Sequence, residues 1–185
     1  AYENVELVTE GEKAKELEAQ GKTEKEIATR TEPILGGAEL TMLAGQTKAQ
    51  MMSFLLETKK GSLIVVDGGW WDDADYLKEQ IKQRGGHVSA WFLTHAHTDH
   101  VGALLNLLQS EVDGENTGIT IDHIYYNFAS LDWYKKHELG DLGTADAILT
   151  ALAGLPKGEA CPVKKGDEIL VDDVCITVLN DRYEP

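Results

Sequence analysis

The stretch "WFLTHAHTDHVGALLNLL", residues 91–108, decides how this chain folds. It opens on an apolar run, crosses three histidines and an aspartate, and leaves on leucines at helical spacing. The apolar opening reads as a strand covered on both faces. Val101, Leu104, Leu105 and Leu108 fall on one stripe of a following helix. Of the chain's 6 histidines, His95, His97 and His100 sit together here. In extended backbone, residues i and i+2 point the same way, so the imidazoles of His95 and His97 can converge on one ion. Asp99 and His100 follow where the chain turns into the helix, and they offer an oxygen and a nitrogen at a neighbouring spot. Neutral imidazole and carboxylate are ordinary ligands of zinc and similar ions. Two ions held ~3.5–4 Å apart can share a hydroxide as nucleophile, and binding lowers that water's pKa to about 7. The cluster is therefore expected to be a metal site and not a set of structural histidines.

Working outward, "SLIVVDGG" before the cluster is a second nearly continuous apolar run. "AELTMLAG" and "QMMSFLLET" are β-like, with "KKG" as a turn. "DDADYLKEQIKQ" carries Ala74, Leu77 and Ile81 at helical spacing and is closed by Gly85 and Gly86. Downstream, "GITIDHIYYNF" reads as a strand and "TADAILTALAGL" as a helix with Thr144 at its N-cap. "DEILVDDVCITVLN" reads as a hairpin turning at Asp172 and Asp173. This order predicts an α/β fold with sheets covered by helices. Residues 1–33 differ: they are rich in Glu, Lys and Ala, with Thr23 and Glu26 as a capping box and Pro33 as a stop. They are read as a charged helical arm, a solvated lead-in to the folded region at 34–185.

The formal charge of −15, from 32 acids against 17 bases, argues against a broad footprint for nucleic acid or an anionic membrane. An anionic small-molecule substrate stays compatible, because bound cations supply local positive charge. No apolar run approaches the ~20 residues that span a bilayer, and no charged-then-apolar leader opens the chain. The chain is read as soluble, with its compartment undetermined, since it starts at Ala1. Cys161 and Cys175 make no disulfide framework; they are expected to be two buried thiols, with pairing across a hairpin as the alternative.

"THAHTDHVGA", residues 94–103, resembles the HxHxDH signature of the metallo-β-lactamase superfamily of hydrolases. "LIVVDGG" resembles that family's strand ending in an Asp-Gly turn, and "KKGDEILVDDVCITVLN" resembles its later strand pair. The resemblance covers about residues 38–180. It implies an αββα sandwich, with this chain as its first half. It implies His95 and His97 as ligands of a first metal, Asp99 and His100 as ligands of a second, and Asp99 as the residue that orients the bridging water. It implies that Asp67 supports the metal loop from outside the ligand set. Gly102 matches the first of a common Gly-Gly pair, and Ala103 departs from it.

The family completes its site from the second half of the fold, and neither His123 nor His137 has the expected context; His87 is read as a surface residue. One or two zinc ions, with manganese or iron as alternatives, are therefore expected at weak or partial occupancy. The missing C-terminal half, or a second copy of the chain, is the expected partner. Trp70 and Trp71 follow the Asp67 turn, where the family's loop borders the groove. Either they wall the substrate groove, or one packs in the core and the other on the surface. "NFASLDWYKKHELG" is a further candidate groove-side loop. The implied activity is a metal-dependent hydrolase using metal-bound hydroxide on an ester, amide, thioester or phosphodiester. This chain alone is expected to be inactive, and the alternative is a non-catalytic assembly or binding module.

Overall fold

The computed structural model describes residues 30–33, 37–47 and 51–182. Most of the charged arm lies outside them. Its last four residues do not: Arg30–Pro33 forms strand β1, paired antiparallel with β2, Glu39–Met42. The boundary at residue 33 therefore moves, because these residues complete a sheet edge.

Strands β3, Ser53–Glu57, and β4, Leu63–Asp67, extend the antiparallel half of the sheet. Beyond β4 the pairing turns parallel, through β6, Ala90–Leu93, then β8, Ile124–Tyr126, then β9, Ala160–Pro162. The order of the seven-stranded sheet is β1-β2-β3-β4-β6-β8-β9. Parallel neighbours need crossovers, and helices supply them. Helix α1, Ala74–Gln83, joins β4 to β6; α2, Thr98–Val112, joins β6 to β8; α3, Leu131–His137, and α4, Leu142–Gly154, join β8 to β9. Helix α2 packs between α1 and α4.

Alternation along the strands separates two sheet faces. Leu55, Leu63, Val65, Trp91, Leu93 and Ile124 form one core with Leu77, Ile81, Val101, Leu104, Ile148 and Leu152 of the helices. The opposite face carries Phe54, Val66, Phe92 and Tyr125, all only half-buried, and Met42, which is 44% exposed. Phe92 and Tyr125 stack there with centroids 4.9 Å apart. Among the described residues, the hairpin β10, Glu168–Val171, and β11, Val174–Thr177, borders part of this face. Ile169 and Leu170 border a groove with Tyr125 and Cys161, and Asp172 at the turn accepts a hydrogen bond from Thr58 Oγ1 at 2.6 Å.

Several local expectations change. The α2 stripe is Val101, Ala103, Leu104 and Leu107, with Leu105 and Leu108 only half-buried, because the helix is flanked by α1 and α4 as well as by the sheet. Thr144 lies inside α4, whose N-cap is Asp141. "GITIDHIYYNF" breaks at Asp122 and His123 into β7, Thr120–Ile121, and β8; β7 pairs instead with the short β5, His87–Val88. "NFASLDWYKKHELG" is not a loop throughout: Ser130 caps α3 by accepting a hydrogen bond from Trp133 N. Both cysteines are free; Cys161 is half-buried and Cys175 exposed, so the pair of buried thiols is not found. His87 is exposed and pairs with Asp122 at 2.9 Å. Among the described residues no helix is long and apolar enough to cross a membrane.

Candidate metal centre

Parallel α/β sheets gather functional residues beyond the carboxyl ends of their strands. Asp67 is the last residue of β4, and the histidine cluster begins two residues past β6. Asp67 is 2% exposed and sits at φ 56, a left-handed conformation that a non-glycine residue adopts only when its surroundings hold it there. Here three donors do so. Its Oδ1 accepts from Thr94 N at 2.9 Å, and its Oδ2 accepts from Thr94 Oγ1 at 2.7 Å and from His100 Nδ1 at 2.8 Å.

The next two residues bring α2 against the strand end. Gly68 N donates to His100 O at 2.6 Å, and Ala103 N donates to Gly69 O at 3.1 Å. A Cβ at Gly102 would meet Trp71 N at 2.6 Å and Trp70 C at 2.9 Å, so only glycine lets the first turn of α2 lie on the tryptophan loop. Asp73, fully buried, holds that loop by accepting from Trp70 N at 3.1 Å and Gln46 N at 3.1 Å. Trp70 and Trp71 are 36% and 45% exposed, so neither packs in the core, as one of the two expectations had it.

The structure brings the three rings of the motif together. His95 and His100 have centroids 3.9 Å apart, and His95 and His97 4.3 Å apart. Their tautomers follow from the surrounding hydrogen bonds. Thr94 Oγ1 gives its proton to Asp67 and so accepts from His95 Nδ1 at 3.0 Å. His100 Nδ1 donates to Asp67. Both rings are left with Nε2 as the lone-pair nitrogen, and His100 Nε2 lies 3.7 Å from Asp99 Oδ2. His97 is reversed: its Nε2 donates to Glu138 Oε2 at 3.0 Å, which leaves Nδ1.

The same packing sets the charge states. Burial lowers the His95 pKa, and the neighbouring charges of His100 and His97 lower it further. Burial also works to lower that of His100, but the Asp67 hydrogen bond and the charges of Asp67 and Asp99 outweigh it, and the net shift is upward. Imidazoles with one nitrogen already engaged, beside a carboxylate, are the donor set a divalent ion takes when it displaces the proton from the other nitrogen.

Residues 134–144 close the other side. Tyr134, buried on α3, accepts from Ala96 N at 3.4 Å through its hydroxyl. Asp141 Oδ2 stands 3.7 Å from His97 Nε2, and the hydroxyls of Thr98 and Thr144 pair at 2.9 Å. Ligand atoms of His97, Glu138 and Asp141 all lie within 4.8 Å of one another, the one such trio among the described residues. Sequence reasoning missed Glu138 and Asp141. The only signal was the acid-bearing segment around His137, which stacks on Trp133 and takes no part in the cluster. His123 is also outside it, bonded to Gly158 O.

The β4–α2 unit places a histidine cluster at the carboxyl edge of a mixed sheet in an α/β domain. Residues 49–179 match the metallo-beta-lactamase superfamily, and the chain belongs to that superfamily. A UPF0173 metal-dependent hydrolase from Herpetosiphon aurantiacus is 40% identical over 57 residues, which span 31% of this chain and 23% of that protein. A metallo-beta-lactamase from Cronobacter sakazakii superposes with a TM-score of 0.47 at 16% identity, over 76% of this chain and 50% of that one. BJP-1, a subclass B3 metallo-beta-lactamase of Bradyrhizobium japonicum, gives 0.43 at 19% identity over 69% and 44%. The chain thus spans under a quarter of the curated relative and half or less of these structures.

Proposed function

We propose that this chain carries the metal-binding edge of a metal-dependent hydrolase. His95, His97, Asp99 and His100 are its ligands, and Asp67 holds His100 and Thr94 in place. The observation that supports this reading is the convergence of three imidazole rings whose other nitrogens are engaged by Thr94, Glu138 and Asp67. A bound zinc ion, or manganese or iron, supplies Lewis-acid activation of water. The chain's own residues do the rest. Asp99, 16% exposed, orients the attacking water. Trp70 and Trp71, held by Asp73 and Gly102, offer an apolar wall to an ester, amide, thioester or phosphodiester substrate.

Three nitrogens and one oxygen divided over two ions leave each short of the three protein ligands zinc takes in open catalytic sites. Binding to this chain alone is therefore weak, and turnover depends on ligands from a further segment. Such a segment, a C-terminal continuation or a second copy of the chain, also covers the half-buried face at Phe54, Val66, Phe92 and Tyr125.

The test is metal analysis and a hydrolysis panel on the chain and on a form extended by any C-terminal continuation of its reading frame. Zinc should leave the chain on dialysis against chelator, and metal-restored activity should appear only in the completed form. Metal-independent turnover would sink the hydrolase reading. Metal binding without turnover in the completed form would favour a binding module. Sedimentation at micromolar concentration checks the cover: the 185-residue chain is expected as a dimer, and a cooperatively melting monomer would refute that.

A further inference from the structure

We infer that Glu138 is a positioning residue for His97: its carboxylate holds the Nε2–H tautomer and turns Nδ1 toward the ion, an inference that rests on the metal-site reading above. Four contacts from one short segment carry it. Tyr134 takes the Ala96 amide, Glu138 and Asp141 face the His97 ring at 3.0 and 3.7 Å, and Thr144 meets Thr98. The segment thus grips residues 96, 97 and 98 in succession, and Glu138 lies one residue past the end of α3, which Tyr134 buries. Metal-ligating histidines commonly give their second N–H to a carboxylate, which fixes the ring and makes the ligating nitrogen more basic.

Two other roles fit the same residues. A surface ion pair, with His97 and Glu138 34% and 36% exposed, would contribute little to stability and nothing to metal binding. Alternatively His97, Glu138 and Asp141 would themselves be the ligands. The His97 ring, however, sits edge-on to His95 at 4.3 Å, inside the cluster and not apart from it.

The experiment uses the full 185-residue chain. In metal-free protein at mildly alkaline pH, two-bond 1H–15N correlation spectra report the His97 tautomer. The Nε2–H form is expected in the wild type and a mixture in Glu138→Ala. Zinc affinity, read by competition with a chelating indicator, should fall about 10-fold or more in Glu138→Ala. It should fall less in Glu138→Gln, which keeps an acceptor oxygen, and the metal-free melting temperature should not move. An Nδ1–H wild type, or unchanged zinc affinity in Glu138→Ala, overturns the inference. So does a His95→Ala variant that keeps wild-type zinc affinity while Glu138→Ala loses all of it, which would make Glu138 a ligand. If the wild type takes up no zinc, the metal-site reading falls, and the tautomer spectra still decide what Glu138 does to His97.

Discussion

The histidine cluster is supported from two sides, and the two supports are built differently. On the sheet side, Asp67 is buried, held in a left-handed backbone conformation, and receives three donors. On the helical side, Glu138 and Asp141 are each 36% exposed and reach His97 from the end of α3 and the start of α4. Removing the buried Asp67 carboxylate leaves the part-buried donors of Thr94 and His100 without an acceptor that water can only partly replace, which costs up to ~1–3 kcal/mol per stranded group. An exposed carboxylate is replaced by water at little cost. The sheet side therefore couples the site to folding, while the helical side can tune the site with the fold intact.

The strongest challenge to that contrast is Asp67→Ala. It should lower metal affinity ~10–100-fold, as removal of a support behind a ligand does, and it should also lower the melting temperature. Loss of affinity with unchanged melting would show that Asp67 is no more integral to the fold than Glu138.

Gly102→Ala sharpens the same side. Its new methyl would sit 2.6 Å from Trp71 N, so α2 and the tryptophan loop must separate, at about 1–3 kcal/mol by thermal or urea unfolding. Wild-type stability would mean that the loop yields freely.

Tyr134→Phe tests the one buried member of the helical side. It removes the acceptor for the buried Ala96 N and should cost ~1–3 kcal/mol in the same unfolding measurement. A larger loss would make this side structural too.

The smallest effect is on proton affinity. In metal-free chain, ring-proton NMR should find His95 titrating below the ~6.5 of a free imidazole and His100 above it, since burial and like charge act on the first and Asp67 dominates the second. In Asp67→Asn the His100 value should drop, because burial then acts with less opposition. An unmoved His100 would show that Asp67 does not set its charge.

Much of this was readable in one dimension. Strands β4 and β6, helix α2 and the four motif residues lie in two short segments, and each is signalled by its own periodicity or spacing. Asp67 was legible through resemblance, because it ends an apolar strand in Asp-Gly-Gly. Glu138 was not legible. It is separated from His97 by 41 positions, and in sequence it is one acid among 32. Arg30–Pro33 has the composition of the charged arm and becomes a strand only because β2 offers it an edge. Leu107 replaced Leu108 in the core because two flanking helices and the sheet together choose which face of α2 is buried.

The sequence by itself determined the α/β class, the position of the histidine cluster after a buried strand, and the kinds of atoms available to an ion. Those properties depend on neighbours within a few residues, where backbone period and side-chain chemistry act directly. Only the tertiary structure decided which nitrogen of each imidazole is engaged, which acid stands behind which histidine, and that both tryptophans face outward. Each of these depends on groups tens of residues apart meeting at the carboxyl edge of one sheet, and long-range packing sets that meeting.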